Sequence, residues 1–286
     1  MDSQQPVLVG IDGSRDGLIA LAWAASYATL CQAPLRAVYA IDEDGQLPAA
    51  PPPSGPDDGS EVLGDALDEL ERLDFGHASL EVHYGHPAMV LLDLAEKSRA
   101  LVVGRRGMGG FAELVLGSTS QECTALITRV PLVVVPDSWD PAGSPRHRIV
   151  VGIDGSPDGA DALHFAFELA AATGAEIHGI HAVEIRESYP DPEVWADPEQ
   201  QPWPADTDDL VTRTLAGWQA KYPQVVTRGR CVADHPVRAL AHESETADLV
   251  VVGGLGRTAF TLLRLGSVAR GLLHHSRSPV AVIHHT

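Results

Sequence analysis

The chain has 286 residues, 44% of them hydrophobic, and a formal net charge of −19 at pH 7. A chain of this length predicts two domains of roughly 100 to 150 residues each, and the hydrophobic content suffices for two packed cores. The acidic charge argues against nucleic acid as a partner, because phosphate backbones are bound by basic surfaces.

The sequence also limits where the protein is expected to act. No apolar stretch reaches the roughly 20 residues that a membrane span needs, so no membrane insertion is expected. The first ten residues, MDSQQPVLVG, contain neither a basic segment nor a cleavable apolar segment, which predicts a cytoplasmic protein. The three cysteines, Cys31, Cys123 and Cys231, have no paired spacing. Reduced thiols are therefore expected, and neither a disulfide framework nor a zinc site.

Strand-like and helical segments alternate along the first half of the chain. In chain order the hydrophobic pattern predicts strand 6–11, helix 15–31, strand 35–41, helix 60–73, strand 78–84, helix 87–98, strand 100–104, helix 118–128 and strand 131–136. Strands such as LVVG and PLVVVP are continuously apolar, as required of a parallel sheet covered by helices on both faces. Right-handed βαβ crossovers then give an open α/β sheet.

The second half of the chain repeats the first. VLVGIDGS at 7–14 matches IVVGIDGS at 149–156, an offset of 142 residues, and beyond the middle of each half the offset becomes 149. In both halves an apolar run is followed by the pattern Gly, two residues, Gly, nine residues, Gly-Ser. The repeat predicts a first domain over 1–137, a linker over 138–147 and a second domain over 148–286.

The glycine pattern falls where a parallel sheet binds ligands. Gly104 ends the fourth predicted strand and Asp12 follows the first, and ligands bind at the carboxyl ends of strands where the strand order reverses. A helix that begins near Gly117-Ser118-Thr119 offers free N–H groups and a positive dipole end, which suit phosphate oxygens. Gly107 lets the loop approach phosphates, whereas the carboxylate of Asp12 suits ribose hydroxyls or a base.

Neither of the two common phosphate-binding motifs is present. A Walker P-loop needs a lysine before the serine or threonine, and VGIDGS does not have the glycine spacing of a dinucleotide fingerprint. A single glycine-rich loop is as consistent with a structural turn as with a ligand site. Two copies with identical internal spacing, each with its own aspartate at a strand end, favour a nucleotide site.

These motifs together resemble those of the universal stress protein family. They are the opening VGIDGS, the run GHPAMVLLDLAEKSRALVVG, the glycine spacing and the final PLVVVP. The resemblance covers nearly the whole chain twice, so the sequence is similar to a tandem-domain member. It implies two Rossmann-like domains of the adenine nucleotide alpha hydrolase-like type, each an open five-stranded parallel sheet with helices on both faces. It further implies that the last strands of the two domains pair within the chain as a pseudo-dimer.

The resemblance also implies ATP as the bound cofactor, accompanied by Mg²⁺ held through the phosphates. In the first repeat the matching positions for adenosine, adenine pocket, ribose and phosphates are Asp12, Ala40, Val103, Gly104, Gly107, Gly117, Ser118 and Thr119. In the second repeat they are Asp154, Ala182, Val252, Gly253, Gly256, Gly266, Ser267 and Val268.

The two loops differ in ways that affect the expected binding. Gly109-Gly110-Phe111 in the first repeat corresponds to Thr258-Ala259-Phe260 in the second, whose side chains would narrow the phosphate loop. We therefore hypothesise that the first domain binds ATP more tightly. Arg105-Arg106 corresponds to Gly254-Leu255, and the arginines either contact phosphates or lie solvated on the loop.

Catalytic groups do not stand out by spacing. Neither a Ser-His-Asp ordering nor paired catalytic carboxylates are recognisable, and the 13 histidines form no metal-ligand pattern. We expect a nucleotide-dependent regulator of a stress or dormancy response, whose ATP occupancy changes its assembly as a homodimer or its protein partners. The alternatives are a slow ATPase and a sensor of another adenosine ligand, such as cyclic AMP or NAD.

Overall fold

The structure is a computed structural model that describes residues 5–42, 59–107, 116–127, 129–140, 142–143, 145–183, 205–256 and 265–285. The elements of the first repeat are β1 (Val7–Ile11), α1 (Arg15–Cys31), β2 (Leu35–Ile41), α2 (Ser60–Arg72), β3 (Ala78–Tyr84), α3 (Pro87–Ala95), β4 (Ala100–Gly104), α4 (Ser118–Leu126) and β5 (Leu132–Val135). Those of the second repeat are β6 (Arg148–Gly152), α5 (Pro157–Thr173), β7 (Glu176–Ala182), α6 (Ala205–Gln219), β8 (Thr227–Val232), α7 (Pro236–Ser244), β9 (Leu249–Gly253), α8 (Ser267–His275) and β10 (Val280–Ile283).

The chain forms two compact units. Unit 1 consists of residues 1–144 with 277–286, and unit 2 consists of residues 145–276. The last ten residues therefore belong with the first unit, although the sequence repeat assigns them to the second domain.

The sheet of unit 1 has the strand order β3-β2-β1-β4-β5-β10. Its first five strands are parallel, as the sequence predicts. β10 lies antiparallel to β5, with Val280 opposite Val134 and Val282 opposite Leu132. The last strands of the two repeats are thus paired, as the resemblance implies, and this pairing covers an apolar edge that would otherwise be open to aggregation.

Unit 2 repeats the α/β arrangement with the parallel strand order β9-β6-β7-β8. In both units the first strand of the repeat lies between its second and fourth strands. The chain therefore crosses from the first strand to one side of it, and later returns to form the fourth strand on its other side. This reversal of strand order opens a crevice at the carboxyl ends of those central strands.

The central strands are buried on both faces. Every residue of β4 and β5 is buried, as are Val7, Leu8 and Val9 of β1. Helix α1 packs against β1 and β4 through a face rich in alanine, which lets the helix approach the sheet closely. The continuous apolar strand pattern therefore reflects helices on both faces of the sheet, as predicted.

Helix α3 is shorter than the predicted 87–98. It ends at Ala95, and the next three residues form turns in which the Ser98 N–H donates to the Ala95 carbonyl. The chain must then enter β4, because the Arg99 N–H donates to the Pro6 carbonyl next to β1. The helix therefore ends three residues before the predicted boundary, where the chain turns into the sheet.

An ion pair joins the outer strands of unit 1. The Nε and Nη2 of Arg36 on β2 donate to the two carboxylate oxygens of Glu81 on β3, at 2.9 and 2.6 Å. The bonds from Arg36 outweigh the effect of burial and, with those from His83 and Ser79, lower the pKa of Glu81 to about 2.

We expect Glu81→Gln to lower the free energy of unfolding at neutral pH by about 1 kcal/mol. Because the folded pKa lies below the ordinary value of 4.5, this stabilisation is present above pH 4.5 and is lost as the pH falls towards about 2. Urea unfolding of both proteins across this range measures the difference, which should shrink on acidification. Glu69→Gln, whose partner Arg72 is exposed, is the control with a smaller effect. A difference that stays constant with pH would contradict the assignment.

Candidate functional site

A cavity of about 340 Å³ lies in unit 1, at the carboxyl ends of β1 and β4. This size falls within the range of small-molecule sites. All eight positions predicted in the first repeat line it: Asp12, Ala40, Val103, Gly104, Gly107, Gly117, Ser118 and Thr119. Its other lining residues are Gly10, Ile11, Gly17, Val38, Pro87, Leu91, Arg106 and Ser120. The structure therefore brings together residues that are more than 100 positions apart in the sequence.

Helix α3 forms one wall of the cavity, through Pro87 and Leu91. The sequence analysis did not predict this wall. Leu91 packs against β1 where Gly10 has no side chain, since a Cβ on Gly10 would lie 2.7 Å from the Leu91 Cδ1. The glycine in VGIDGS thus makes room for α3. The only sequence signal for this contact is the GHPAM run at the start of that helix.

Asp12 is held in a fixed position at the end of β1. Its Oδ1 accepts hydrogen bonds from the Ser14 N–H, at 3.0 Å, and from the Ser14 hydroxyl, at 2.5 Å. The Ser14 Oγ also accepts the Gly17 N–H at 3.0 Å and caps α1. This network orients the carboxylate while the turn starts the helix.

The same network occurs in unit 2. Asp154 accepts the Ser156 N–H at 2.9 Å and the Ser156 hydroxyl at 2.6 Å, and Ser156 accepts the Gly159 N–H at 3.0 Å. The motif Asp-Gly-Ser therefore has the same local structure in both repeats.

A buried aspartate in the first turn of α1 anchors the glycine loop. The Oδ2 of Asp16, a residue only 7% exposed, accepts the Arg106 N–H at 3.0 Å. The Gly117 N–H in turn donates to the Arg105 carbonyl at 2.8 Å, which joins the start of the loop to the start of α4. Asp16 therefore connects α1 to the start of the loop, and the bond from Gly117 connects that start to α4.

Unit 2 has an equivalent anchor. The Asp158 Oδ2 accepts the Leu255 N–H at 2.8 Å, and the Gly266 N–H donates to the Gly254 carbonyl at 2.7 Å. The sequence analysis missed both anchoring aspartates. The available signal was the match of DGSRDG with DGSPDG, in which the second aspartate recurs at the same position.

Two of the loop glycines are required by packing within the protein. A Cβ on Gly104 would lie 2.7 Å from the carbonyl carbon and oxygen of Asp16, and a Cβ on Gly107 would collide with the Asp12 Oδ2. Neither glycine has a positive φ. The sequence analysis attributes these glycines to the approach of a ligand, whereas the structure gives each of them an internal reason as well.

The start of α4 provides hydrogen-bond donors to the cavity. Its N-cap is Gly117, so no side chain caps the first turn. The hydroxyl of Ser118 and that of Thr119 form no hydrogen bond with any described residue, whereas the Ser120 hydroxyl donates to the Gly104 carbonyl at 2.6 Å. The free N–H groups and hydroxyls are suited to an anion.

The two arginines of the loop have different environments. The Arg105 side chain is 13% exposed and does not line the cavity, and its Nη2 lies 2.7 Å from the Asp137 Oδ1. Arg106 lines the cavity, and its Nη2 contacts the other oxygen of Asp137. Burial raises the pKa of Asp137, but the guanidinium groups of Arg106 and Arg105 together hold it below its ordinary value. Asp137 was not singled out by the sequence, because nothing local connects it to the loop.

The predicted residues of the second repeat occupy matching ends of the elements in unit 2. Asp154 follows β6, Ala182 ends β7, Val252 and Gly253 end β9, and the start of α8 contains Gly266, Ser267 and Val268. A Cβ on Gly256 would lie 3.3 Å from the Asp154 Oδ2, so that carboxylate also faces the glycine loop. The differing segments Gly109-Gly110-Phe111 and Thr258-Ala259-Phe260 lie outside the described residues.

Other kinds of site were searched for over the same residues. In the part of the chain that the structure describes, no three or more His, Cys, Asp or Glu side chains are grouped so that they could hold a metal ion. Among the described helices, none combines the length and apolar character needed to cross a membrane. None of the three cysteines, all of which lie in described parts of the chain, forms a disulfide bond.

Comparison with known proteins gives a consistent result over both repeats. The sequence model of the universal stress protein family matches residues 4–136 and 145–284. A universal stress protein of Mycobacterium tuberculosis is 31% identical over 292 residues, covering 98% of this chain and 97% of its own. One from Mycolicibacterium smegmatis is 31% identical over 298 residues, covering 97% and 96%. The crystal structure of a universal stress protein from Archaeoglobus fulgidus has a TM-score of 0.72 at 18% identity, covering 98% of this chain and 96% of that one.

The packing of Gly107 against Asp12 predicts the effect of adding a methyl group. We expect Gly107→Ala to lower the free energy of unfolding by about 1 to 3 kcal/mol, since the Asp12 side chain must move away from its Ser14 partners. Gly256→Ala is the matched control, with a smaller loss expected because its Cβ has more room. Chemical denaturation measures both.

A double-mutant cycle separates this contact from other effects of the alanine. In an Asp12→Ala background the cost of Gly107→Ala should largely disappear, because the colliding carboxylate is gone. A cost that persists in that background would mean that another contact requires the glycine.

Proposed function

Because the chain belongs to the universal stress protein family, we propose that it is an ATP-binding regulator with its principal nucleotide site in the unit 1 cavity. The observation that carries the proposal is the meeting of the Asp12 carboxylate and the uncapped start of α4 around one cavity. The carboxylate can accept hydrogen bonds from the ribose at one end of a nucleotide. The N–H groups can donate to the phosphates at its other end.

The lining residues fit the parts of ATP in order. Val38, Ala40 and Val103 offer an apolar surface to the adenine ring. The Asp12 carboxylate is an acceptor for ribose hydroxyls. The phosphates would accept hydrogen bonds from the first turn of α4 and from the hydroxyls of its first two residues. Mg²⁺ would be held by the phosphate oxygens and water, which need few protein ligands.

The cavity has few acidic side chains that could take part in catalysis, which favours regulation. Asp12 is the one carboxylate among its described lining residues, and Ser14 already engages one of its oxygens. Hydrolysis needs a group that positions a water molecule at the γ-phosphate, and we assign no such residue. We therefore expect slow or absent turnover, with ATP occupancy changing the assembly of the protein or its choice of partner.

We further propose that unit 2 contains a second, weaker site. Its backbone anchor and Asp154 network repeat those of unit 1. The second residue of α8 is Val268 where α4 has Thr119, so one hydroxyl available to phosphate is missing. This difference supports the hypothesis that unit 1 binds ATP more tightly.

The first experiment identifies the ligand. Nucleotide released by denaturing the purified protein is identified by mass spectrometry and counted per chain, and calorimetry with ATP and Mg²⁺ gives the affinity. ATP with little phosphate release supports the regulator, whereas bound ADP with steady phosphate release would favour an ATPase. Stronger binding of cyclic AMP or NAD in competition would favour the alternative sensor. Failure of every adenine ligand to bind would overturn the proposal.

A pair of serine variants tests the position of the phosphates. Ser118→Ala should weaken ATP binding at the tighter site about tenfold, the value of one hydrogen bond to a charged group. Because the Ser118 hydroxyl bonds to no described residue, stability should not change. Ser267→Ala is the matched variant in unit 2 and should affect the weaker site instead. A larger loss at the tighter site from Ser267→Ala would reverse the assignment of the two sites.

A further inference from the structure

We propose that the guanidinium of Arg106 binds the phosphate chain of the nucleotide in unit 1, and that Asp137 and Asp16 hold this guanidinium at the cavity wall. The proposal deepens the proposed function and rests on it. It gives the site a recognition element for phosphate that the glycine pattern does not include.

Arg106 lies at the proposed phosphate end of the cavity. The residue precedes Gly107 and lines the cavity beside Gly117 and Ser118. A Cβ on Gly117 would lie 3.4 Å from the Arg106 Cα, so the arginine starts next to the first turn of α4. A guanidinium there adds a full positive charge to the N–H groups of the helix.

Two acidic groups fix the Arg106 side chain without using all of its donors. Its Nη2 pairs with the Asp137 Oδ2, and its Nε lies 3.6 Å from the Asp16 Oδ2. Within the described residues its Nη1 forms no hydrogen bond, so N–H donors remain for a ligand. The side chain is 36% exposed, so its two acidic partners do not enclose it.

Arg105 takes the opposite role. Its side chain is 13% exposed, it pairs with the Asp137 Oδ1, and it is absent from the cavity wall. Both guanidinium groups therefore pair with one carboxylate, Arg105 with its Oδ1 and Arg106 with its Oδ2. The pair of arginines therefore divides into a structural cation and a cation that faces the ligand.

The fold of the loop does not require an arginine at this position. In unit 2 the corresponding residue is Leu255, and its N–H makes the same bond to the aspartate in the first turn of the helix, at 2.8 Å. The backbone anchor is thus independent of the side chain. A leucine at position 106 is for the same reason a replacement that the turn accommodates.

The test compares Arg106→Leu with Arg105→Gln and Arg106→Lys in the full chain. All proteins also carry Ser267→Ala, so that the unit 2 site is weakened equally in each. Calorimetry measures the affinity of unit 1 for ATP with Mg²⁺, for ADP, for AMP and for adenosine, and thermal unfolding checks the fold.

We expect Arg106→Leu to weaken ATP binding about 10- to 100-fold, as for the loss of charged hydrogen bonds. Adenosine affinity should stay within about twofold, because its contacts lie at the other end of the cavity. Arg106→Lys should recover part of the loss, since it keeps the charge but not the bidentate geometry. Arg105→Gln should leave both affinities within about twofold.

Two outcomes would overturn the inference while leaving the proposed function intact. One is unchanged ATP affinity in Arg106→Leu. The other is an equal loss of ATP and adenosine affinity, which would mean that the arginine shapes the cavity instead of binding phosphate. Failure of the parent protein to bind any adenine ligand would instead refute the proposed function itself.

Discussion

The position of the glycine loop in each unit depends on a buried carboxylate in the first turn of the helix that follows the first strand. Asp16 and Asp158 are each 7% exposed, and each accepts a backbone N–H from the glycine loop of its own unit. Both lie at a helix N-terminus, where the helix dipole and free N–H groups favour negative charge. The stabilisation of that charge lets a loop more than 80 residues away be tied to the start of α1. This contact helps to fix the start of the loop relative to Asp12, which lies just before α1.

The two repeats separate what the fold requires from what a ligand would require. Both keep the Asp-Gly-Ser turn, the anchoring aspartate and the backbone bond that closes the loop onto the next helix. They differ at the side chains nearest the start of that helix, where unit 1 has Arg106, Thr119 and Ser120 and unit 2 has Leu255, Val268 and Ala269. The differences at these positions leave the backbone contacts of the scaffold intact. They change the hydrogen-bonding capacity and the charge at the start of that helix.

Most of the fold could be predicted from the sequence because its signals are local or repeated. Continuous apolar strands, amphipathic helices and the two copies of each motif gave the element order to within a few residues. The pairing of β10 with β5 was implied by the family resemblance and not by the strand itself, since the apolar segment VAVI would suit either partner strand. The end of α3 depends on the bond from Arg99 to Pro6, which no helical pattern contains.

The candidate site was predictable where its residues belong to the family motifs. It was less predictable where segments outside those motifs meet. The family resemblance supplied positions that line the unit 1 cavity. It gave no reason to select Asp137. This residue lies near the loop because it follows β5, which pairs with β4. The division of roles between Arg105 and Arg106 likewise depends on burial, and adjacent identical residues carry no signal of which one faces inward.

The glycines show why a glycine-rich loop is weaker evidence for a ligand than its composition indicates. Gly104 accommodates the Asp16 backbone, Gly107 accommodates the Asp12 carboxylate, and Gly10 accommodates Leu91. All three would be needed to pack this fold even in a protein that binds nothing. The evidence for a ligand therefore rests on groups that packing does not explain. These are the hydroxyls of Ser118 and Thr119, which bond to no described residue, and the uncapped first turn of α4. A fold that only needed to close the loop would gain stability by capping that turn with a side chain.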